Sequence, residues 1–189
     1  MRVTGGRSKG QHLSTLKGMK IRPSSDKIRE TIFNIIGQNI EGLKVLDLFA
    51  GTGSLGIEAL SRGADLGLFI DNSRQSIKLI KKNLLICGYE HSGFVIKKDL
   101  RTGLPREHSI FEKKIDLVFI DPPYGKGLIP RMLKAIHERD ILSSDSIVIA
   151  ESSKEDILPG VLGGLHLKDT RIYGETKIDV YILRGKNEH

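Results

Sequence analysis

Residues 45–56 read VLDLFAGTGSLG, and this stretch decides the fold. Residues 45–49, apolar except for Asp47, predict a buried strand, and residues 54–61 predict a short helix. Between them the glycines follow the spacing G-x-G-x-x-G, which is typical of a tight strand-to-helix turn whose backbone comes close to a ligand. The stretch therefore predicts a βα unit with a ligand site, and a tight turn without a ligand is the alternative interpretation.

Alternating apolar runs and amphipathic stretches continue this pattern along the chain. Helices are predicted from Ser24 or Ser25 to Gly37 and over residues 54–61, 73–86 and 128–139, and strands over 45–49, 66–70, 94–96, 115–120, 146–150, 165–173 and 177–183. Since the last two strands have no helix between them, we expect an antiparallel edge. The fold class is thus α/β, a doubly wound, mostly parallel, seven-stranded Rossmann-like sheet.

The N-terminal residues differ from the rest of the chain in charge. The 189-residue chain has a net charge of +7, and residues 1–30 alone carry eight Lys or Arg against two Asp or Glu. Short extended pieces at residues 2–4 and 11–13 predict a β-hairpin with a cationic tip. We therefore divide the chain into a basic arm over residues 1–23, which we expect to bind a polyanion, and a Rossmann-like domain over residues 24–189. An ordinary solvated tail is the alternative.

Composition excludes several other classes. No apolar run approaches the ~20 residues that a membrane span needs, and the N-terminus lacks the apolar stretch of a secretory signal. The single cysteine, Cys87, has no disulfide partner, and the scattered histidines do not form a metal-binding pattern. We expect a cytoplasmic protein with no metal and no membrane partner.

Acidic residues at the ends of the strands indicate which ligand the glycine loop binds. The glycine motif alone would suggest NAD, but Asp47 would repel a pyrophosphate and could hold an ammonium group. Asp71 lies at the end of the second strand, where it can accept from ribose hydroxyls. Asp99 ends the third strand and could accept from an adenine amino group, or could simply cap a turn. These carboxylates favour S-adenosylmethionine, which carries positive groups and no phosphate.

A stiff loop, Asp121-Pro122-Pro123-Tyr124, follows the fourth strand. Its two prolines fix the backbone and donate no hydrogen bond, so the loop is lined with acceptors. Asp121 and a proline carbonyl could accept the two N–H groups of an exocyclic amine on a base, and Tyr124 could stack on the base plane. A rigid turn after a buried strand is the alternative.

Together these motifs resemble a known family. Residues 47–53 and 121–124 look like the two loops of class I S-adenosylmethionine-dependent amino-methyltransferases. The whole chain resembles the RsmD-type 16S ribosomal RNA guanine-N2 methyltransferases. The block RPSSDKIRETIFN at residues 22–34 is the most discriminating stretch. The resemblance implies methylation of a guanine amine in 16S ribosomal RNA, on a small ribosomal subunit or an assembly intermediate.

The resemblance and the motifs together assign three sets of residues. The catalytic set is Asp121, Pro122, Pro123 and Tyr124. The cofactor set is Asp47, Phe49, Ala50, Gly51, Gly53, Asp71, Asn72, Asp99 and Leu100. The RNA-binding set is Arg2, Arg7, Lys9, Lys20, Arg22 and Arg29.

Asp71 departs from the family pattern, and Arg29 has two possible roles. The family usually has Glu where Asp71 stands, so Asn72 could share the contact with the ribose. Arg29 could contact RNA, or could pair with Asp26 or Glu30 on its own helix.

Other functions remain open at this stage. A close alternative is an amino-methyltransferase that acts on DNA adenine N6 or on a protein amide. From other classes come an NAD-dependent reductase and a non-catalytic RNA-binding protein that keeps the fold.

Overall fold

The computed structural model describes residues 1–15, 23–37, 40–105, 111, 113–123 and 125–183. An eight-stranded sheet forms its centre, in the order β3-β2-β1-β4-β5-β8-β7-β6. The strands are β1 (Lys44–Leu48), β2 (Leu66–Asp71), β3 (Gly93–Lys97), β4 (Ile115–Ile120), β5 (Leu142–Ser153), β6 (Val161–Leu162), β7 (Leu165–Tyr173) and β8 (Thr176–Leu183). The helices are α1 (Pro23–Ile36), α2 (Ser54–Ser61), α3 (Arg74–Cys87) and α4 (Leu128–Glu138).

The first five strands are parallel and the last three are antiparallel, as the hydrophobic pattern predicts. The expected count of seven strands is wrong by one. The additional strand, β6, has only two residues, too few to produce a recognisable hydrophobic pattern. It pairs with the start of β7 across a turn at Gly163, whose φ of +62° favours glycine.

Both faces of the sheet are covered, which explains why the central strands are continuously apolar. One face packs against α1, α2 and α3, with Phe33 of α1 and Phe119 of β4 at a ring-centroid distance of 5.8 Å. The other face packs against α4 through Ile129, Met132, Leu133 and Ile136. The two cores hold the parallel strands in register, so their carboxyl ends meet at one edge.

The N-terminal residues form the expected hairpin. Arg2 and His12 make an antiparallel bridge, and Val3 donates to the carbonyl oxygen of Gln11 at 3.0 Å. Val3 and Leu13 are buried in the same core as α1 and α2. The hairpin is therefore held against the domain by its own apolar residues, and only its polar side is left for a partner.

Candidate active site

A cavity of about 610 Å³ lies at the carboxyl edge of the sheet, beside the neighbouring strands β1 and β4. The chain leaves β1 toward β2 on one side and reaches β4 on the other, so this is the topological switch point where α/β sheets bind ligands. Eleven of the residues expected to act in catalysis or cofactor binding line the cavity: Asp47, Phe49, Ala50, Gly51, Asp71, Asn72, Asp99, Leu100, Asp121, Pro122 and Pro123.

The glycine loop owes its shape to several left-handed residues. Phe49, Gly51 and Gly53 have φ values of 61°, 55° and 77°. The backbone N–H of Gly51 donates to Asp71 Oδ2 at 2.9 Å, which ties the loop to the end of β2. A Cβ atom at Gly51 would meet only the carbonyl oxygen of Phe49, at 3.9 Å, so Gly51 leaves space on the cavity side.

The other two glycines of the motif serve the packing of the helix. A Cβ at Gly56 would lie 2.3 Å from the Phe69 ring, and one at Gly53 would lie 3.2 Å from Ile80. Gly53 is also outside the set of residues that line the cavity. The structure therefore places Gly53 behind the loop, where it permits the turn and the close approach of α2, rather than at the expected contact with the cofactor.

Asp47 is a buried carboxyl group of the site. It is 2% exposed, and its Oδ2 accepts from the backbone N–H of Gly56 at 3.0 Å. Burial raises the pKa of Asp47 to about 8; the Gly56 hydrogen bond opposes this shift, and the nearby Asp71 adds to it. A buried carboxyl group in this state is well suited to a cationic ligand, because such a ligand would stabilise its ionised form.

Asp99 lies at the cavity wall but is already engaged. It caps a short 3-10 helix (Leu100–Thr102) by accepting from the backbone N–H of Arg101, and the Arg101 side chain donates to both carboxylate oxygens at 2.7–3.1 Å. The Arg101 side-chain hydrogen bonds lower the pKa of Asp99 to about 2. The turn-cap interpretation is therefore present in the structure, and an adenine contact would require Asp99 to share or release Arg101.

Asp121 follows the last residue of β4, and its backbone N–H donates to the carbonyl oxygen of Leu48 at 3.4 Å. Burial is the largest cause that raises the pKa of Asp121 well above its ordinary value, and the charges of Glu151 and Asp47 add to it. Pro122 and Pro123 continue the cavity wall. Tyr124, the fourth residue of this motif, lies outside the described residues.

Glu151 is a site residue that the sequence pattern alone did not single out. It lines the same cavity and lies in β5, next to Ala150, which pairs with Ile120 of β4. Its position in the sequence could have indicated this role, because Glu151 directly follows the predicted strand 146–150, just as Asp71 and Asp121 directly follow predicted strands. Lys98, Arg101 and Lys126 also line the cavity and were not expected there.

The hairpin brings together three of the six expected RNA-binding residues. Arg2, Arg7 and Lys9 are exposed. The tip is anchored on α2, because the backbone N–H groups of Arg7 and Ser8 donate to the carbonyl oxygen and Oγ of Ser61 at 2.7 and 2.9 Å. Lys20 and Arg22 lie outside the described residues.

Arg29 occupies a different place from Arg2, Arg7 and Lys9. It is 2% exposed, and its guanidinium donates to Glu58 at 3.2 Å, to Asp26 at 2.9 Å and to the carbonyl oxygen of Arg2. The alternative of pairing with Asp26 is therefore present in the structure. Arg29 also lines the cavity, and its role as an RNA contact stays a prediction. Glu58, on α2, is the partner that only the fold brings near.

The described residues contain neither a membrane helix nor a metal cluster. No described helix is long and apolar enough to cross a membrane. Among the same residues, no group of three or more His, Cys, Asp or Glu side chains could hold a metal ion.

The sheet order and the cavity define the class of the protein, a Rossmann-like methyltransferase. The solved structure entitled "Putative methyltransferase yhhF from Escherichia coli" superposes with a TM-score of 0.83 at 28% identity, covering 98% of this chain and 99% of that one. Methyltransferases of this class use S-adenosylmethionine, and the carboxylate-lined cavity fits such a cationic ligand, so the expected cofactor is confirmed.

The chain belongs to the family described as "Conserved hypothetical protein 95", whose model matches residues 1–182. A Bacillus subtilis relative, "Putative rRNA methyltransferase YlbH", is 36% identical over 98% of this chain and 100% of its own length. The Escherichia coli protein "Ribosomal RNA small subunit methyltransferase D" is 28% identical over 100% of this chain and 92% of its own. These relatives confirm the resemblance to the RsmD-type enzymes.

Proposed function

We propose that this protein transfers a methyl group from S-adenosylmethionine to the exocyclic N2 amine of a guanine in 16S ribosomal RNA. The observation that carries the proposal is the position of Asp121 and the two prolines in the wall of the cavity that also contains the glycine loop. A base that enters this cavity meets hydrogen-bond acceptors beside the site of the methyl donor. The two full-length relatives whose names specify ribosomal RNA favour the same substrate class.

The cofactor side of the cavity is assigned to the β1 and β2 ends. Asp47 would hold the ammonium group, and Asp71 with Asn72 would hold the ribose hydroxyls. Leu100 and Asp99 would border the adenine. When bound, S-adenosylmethionine supplies a methyl group on a positively charged sulfur. The surrounding carboxylates would favour that positive charge.

The substrate side of the cavity is assigned to the loop after β4. The lone pair of a guanine 2-amino group is delocalised into the ring, so orientation matters more than a strong base. The Asp121 carboxylate and a proline carbonyl would accept the two N–H groups and turn the nitrogen lone pair toward the donor. The nitrogen gains a methyl group and loses one proton, which the Asp121 carboxylate is placed to accept. Tyr124 would stack on the base.

The basic arm over residues 1–23 would bind the RNA backbone, with Arg2, Arg7 and Lys9 as the described contacts and Lys20 and Arg22 as further candidates. Phosphate contacts of this kind supply affinity and orientation without sequence information. Because 16S RNA is assembled with ribosomal proteins in the cytoplasm, the expected partner is a small subunit or an assembly intermediate there.

The experiment is methyl transfer to small-subunit particles that lack the modification, followed by mass mapping of the labelled nucleotide. We expect label on one guanine, as N2-methylguanine, and none with Asp121→Ala. Label on a protein amide of the particle, or on adenine of DNA offered in a parallel reaction, would favour the close alternative. RNA binding without turnover would favour the non-catalytic alternative, and NAD binding without binding of S-adenosylhomocysteine would favour the reductase.

A further inference from the structure

Glu151 and Asp121 are brought side by side by the register of two parallel strands. Ile120 of β4 pairs with Ala150 of β5, and Asp121 and Glu151 are the next residues of each chain. Neighbouring strands lie about 4.8 Å apart, so the two residues start from adjacent positions at the same edge. On its other side Glu151 pairs with Ile178 of β8, so its backbone is held between two strands.

Both side chains belong to the cavity already described. Glu151 lines it together with Asp121 and Pro122. The two carboxyl groups are also close enough to interact, since the charge of Glu151 is one cause of the raised pKa of Asp121. A base whose amine reaches Asp121 therefore presents its neighbouring edge atoms to Glu151.

The hydrogen-bonding pattern of that edge differs between bases. Guanine carries a ring N1–H donor beside its 2-amino group, so a carboxylate can accept from this edge. In 2-aminopurine the amino group is the same but N1 is an acceptor, and in adenine N1 is again an acceptor. An acceptor facing a carboxylate leaves both groups unpaired, and a site built for a donor rejects such an analogue.

We propose that Glu151 is the residue that selects guanine, by accepting a hydrogen bond from the base N1–H while Asp121 and the proline carbonyls hold the 2-amino group. The inference rests on the proposed function. It goes further in assigning the recognition of one ring atom to one side chain.

The experiment compares guanine with 2-aminopurine at the nucleotide that the wild-type enzyme methylates. Particles are reconstituted with RNA carrying either base, and kcat/KM is measured for the wild type and for Glu151→Gln. The matched control is Glu175→Gln, which removes a carboxylate at the neighbouring β7–β8 turn. Glu175 is 73% exposed, pairs with Lys154 and does not line the cavity.

We expect the wild type to prefer guanine by about tenfold or more, the scale of one specific base contact. The Gln variant can donate from its amide to an unprotonated N1, so its preference for guanine should shrink several-fold or reverse. The Glu175 variant should keep the wild-type preference. Far-UV circular dichroism checks that both variants fold, and binding of S-adenosylhomocysteine, measured by titration calorimetry, should be unchanged in both.

Three outcomes contradict the inference. One is a wild-type enzyme that methylates both bases equally well, a result that needs no variant. A second is a folded Glu151→Gln enzyme with the wild-type preference. The third is a Glu151→Gln enzyme whose preference is intact but whose cofactor affinity falls, which would assign Glu151 to the cofactor. If the wild type labels no guanine at all, the proposed function fails instead.

Discussion

The side-chain amide of Asn83, on α3, donates through Nδ2 to the carbonyl oxygen of Thr52 at 2.9 Å, inside the glycine loop. The same amide group accepts from the N–H of Ser14 at 2.8 Å and donates to its carbonyl oxygen at 3.0 Å. Asn83 is fully buried. One side chain therefore joins the cofactor loop to the segment that leaves the N-terminal hairpin.

Replacement of Asn83 by Ala should weaken both stability and cofactor binding. It removes three hydrogen bonds and leaves the buried carbonyl group of Thr52 and the partly buried backbone groups of Ser14 without their partner, which should cost about 2–4 kcal/mol of unfolding free energy. The loop is also deprived of an anchor, so the Kd for S-adenosylhomocysteine should rise several-fold. Urea unfolding and titration calorimetry measure the two effects. Asn34→Ala, at an exposed position of α1, is the control, and an unchanged Kd in a folded Asn83 variant would contradict the prediction.

Replacement of Asp47 by Asn should weaken cofactor binding and increase stability at high pH. Because the pKa of Asp47 is raised from its ordinary 3.8 to about 8 in the folded protein, the stability it contributes is present below about 4 and is lost as the pH rises to about 8. The Asn side chain is never charged, so the Tm of the variant relative to wild type should increase between acidic pH and a pH above 8.

The measurement is thermal unfolding of the ligand-free proteins at both pH values, with calorimetric titration of S-adenosylhomocysteine at neutral pH. The variant should bind the ligand more weakly, since it lacks a carboxylate for the ammonium group. If the Tm difference is the same at both pH values, the buried carboxyl group does not titrate as stated.

Methyl transfer should depend on the protonation of Asp121. Burial, with the charges of Glu151 and Asp47, raises the pKa of Asp121, and a protonated carboxyl group cannot accept the amine proton. The single-turnover rate should therefore fall as the pH is lowered through this raised pKa. In Glu151→Gln the pKa of Asp121 should fall, because one negative charge is gone, and the midpoint should move to lower pH. A midpoint that stays in place would show that the two groups do not interact during the reaction.

The salt dependence of RNA binding should identify which hairpin cations meet the RNA. Arg7→Ala and Lys9→Ala each remove an exposed cation, so each should reduce the log–log slope of affinity against salt by ~1 unit for every phosphate that the variant no longer neutralises. Lys134→Ala, which removes a cation that is 68% exposed on α4, should leave the slope unchanged. Equal slopes for all three variants and the wild type would exclude the hairpin from the interface.

Arg29→Ala should lower the stability of the protein and leave RNA binding unchanged, in contrast to the hairpin variants. The guanidinium is buried beside Glu58 and Asp26, and removal of one partner from a buried ion pair costs about 3–5 kcal/mol. The Arg62 side chain still pairs with Glu58 at 2.8 Å, which places the expected destabilisation at the lower end of that range. Urea unfolding should show this destabilisation, while the salt slope for RNA should match the wild type. A reduced slope with unchanged stability would instead assign Arg29 to the RNA interface.

Much of the fold could be predicted because it follows from local patterns. The predicted helix 54–61 and the strands 115–120 and 165–173 have the same bounds in the structure. In each case a glycine turn or a polar segment interrupts the hydrophobic periodicity and so marks where the element ends. The two-residue β6 had no such signal, because its pairing depends on the turn that follows.

The candidate site was predictable only in part. Asp47, Asp71 and Asp121 were found because each stands in or just after an apolar strand. Glu151 follows its strand in the same way, but its importance comes from the β4–β5 register that puts it beside Asp121. Gly53 and Gly56 belong to the recognised motif, yet Ile80 and Phe69 decide their role as packing positions.

The sequence by itself determined the class of fold, the order of the βα units, the two loops of the site and the family, because each depends on a pattern of contiguous residues. Only the tertiary structure decided which charges face a ligand and which face each other. Arg29 meets Glu58 across 29 positions of chain, and Asn83 meets Thr52 across 31. Such pairs form because packing of helices on the sheet brings distant segments together, and a polar group that is buried there is stabilised by a hydrogen-bond partner.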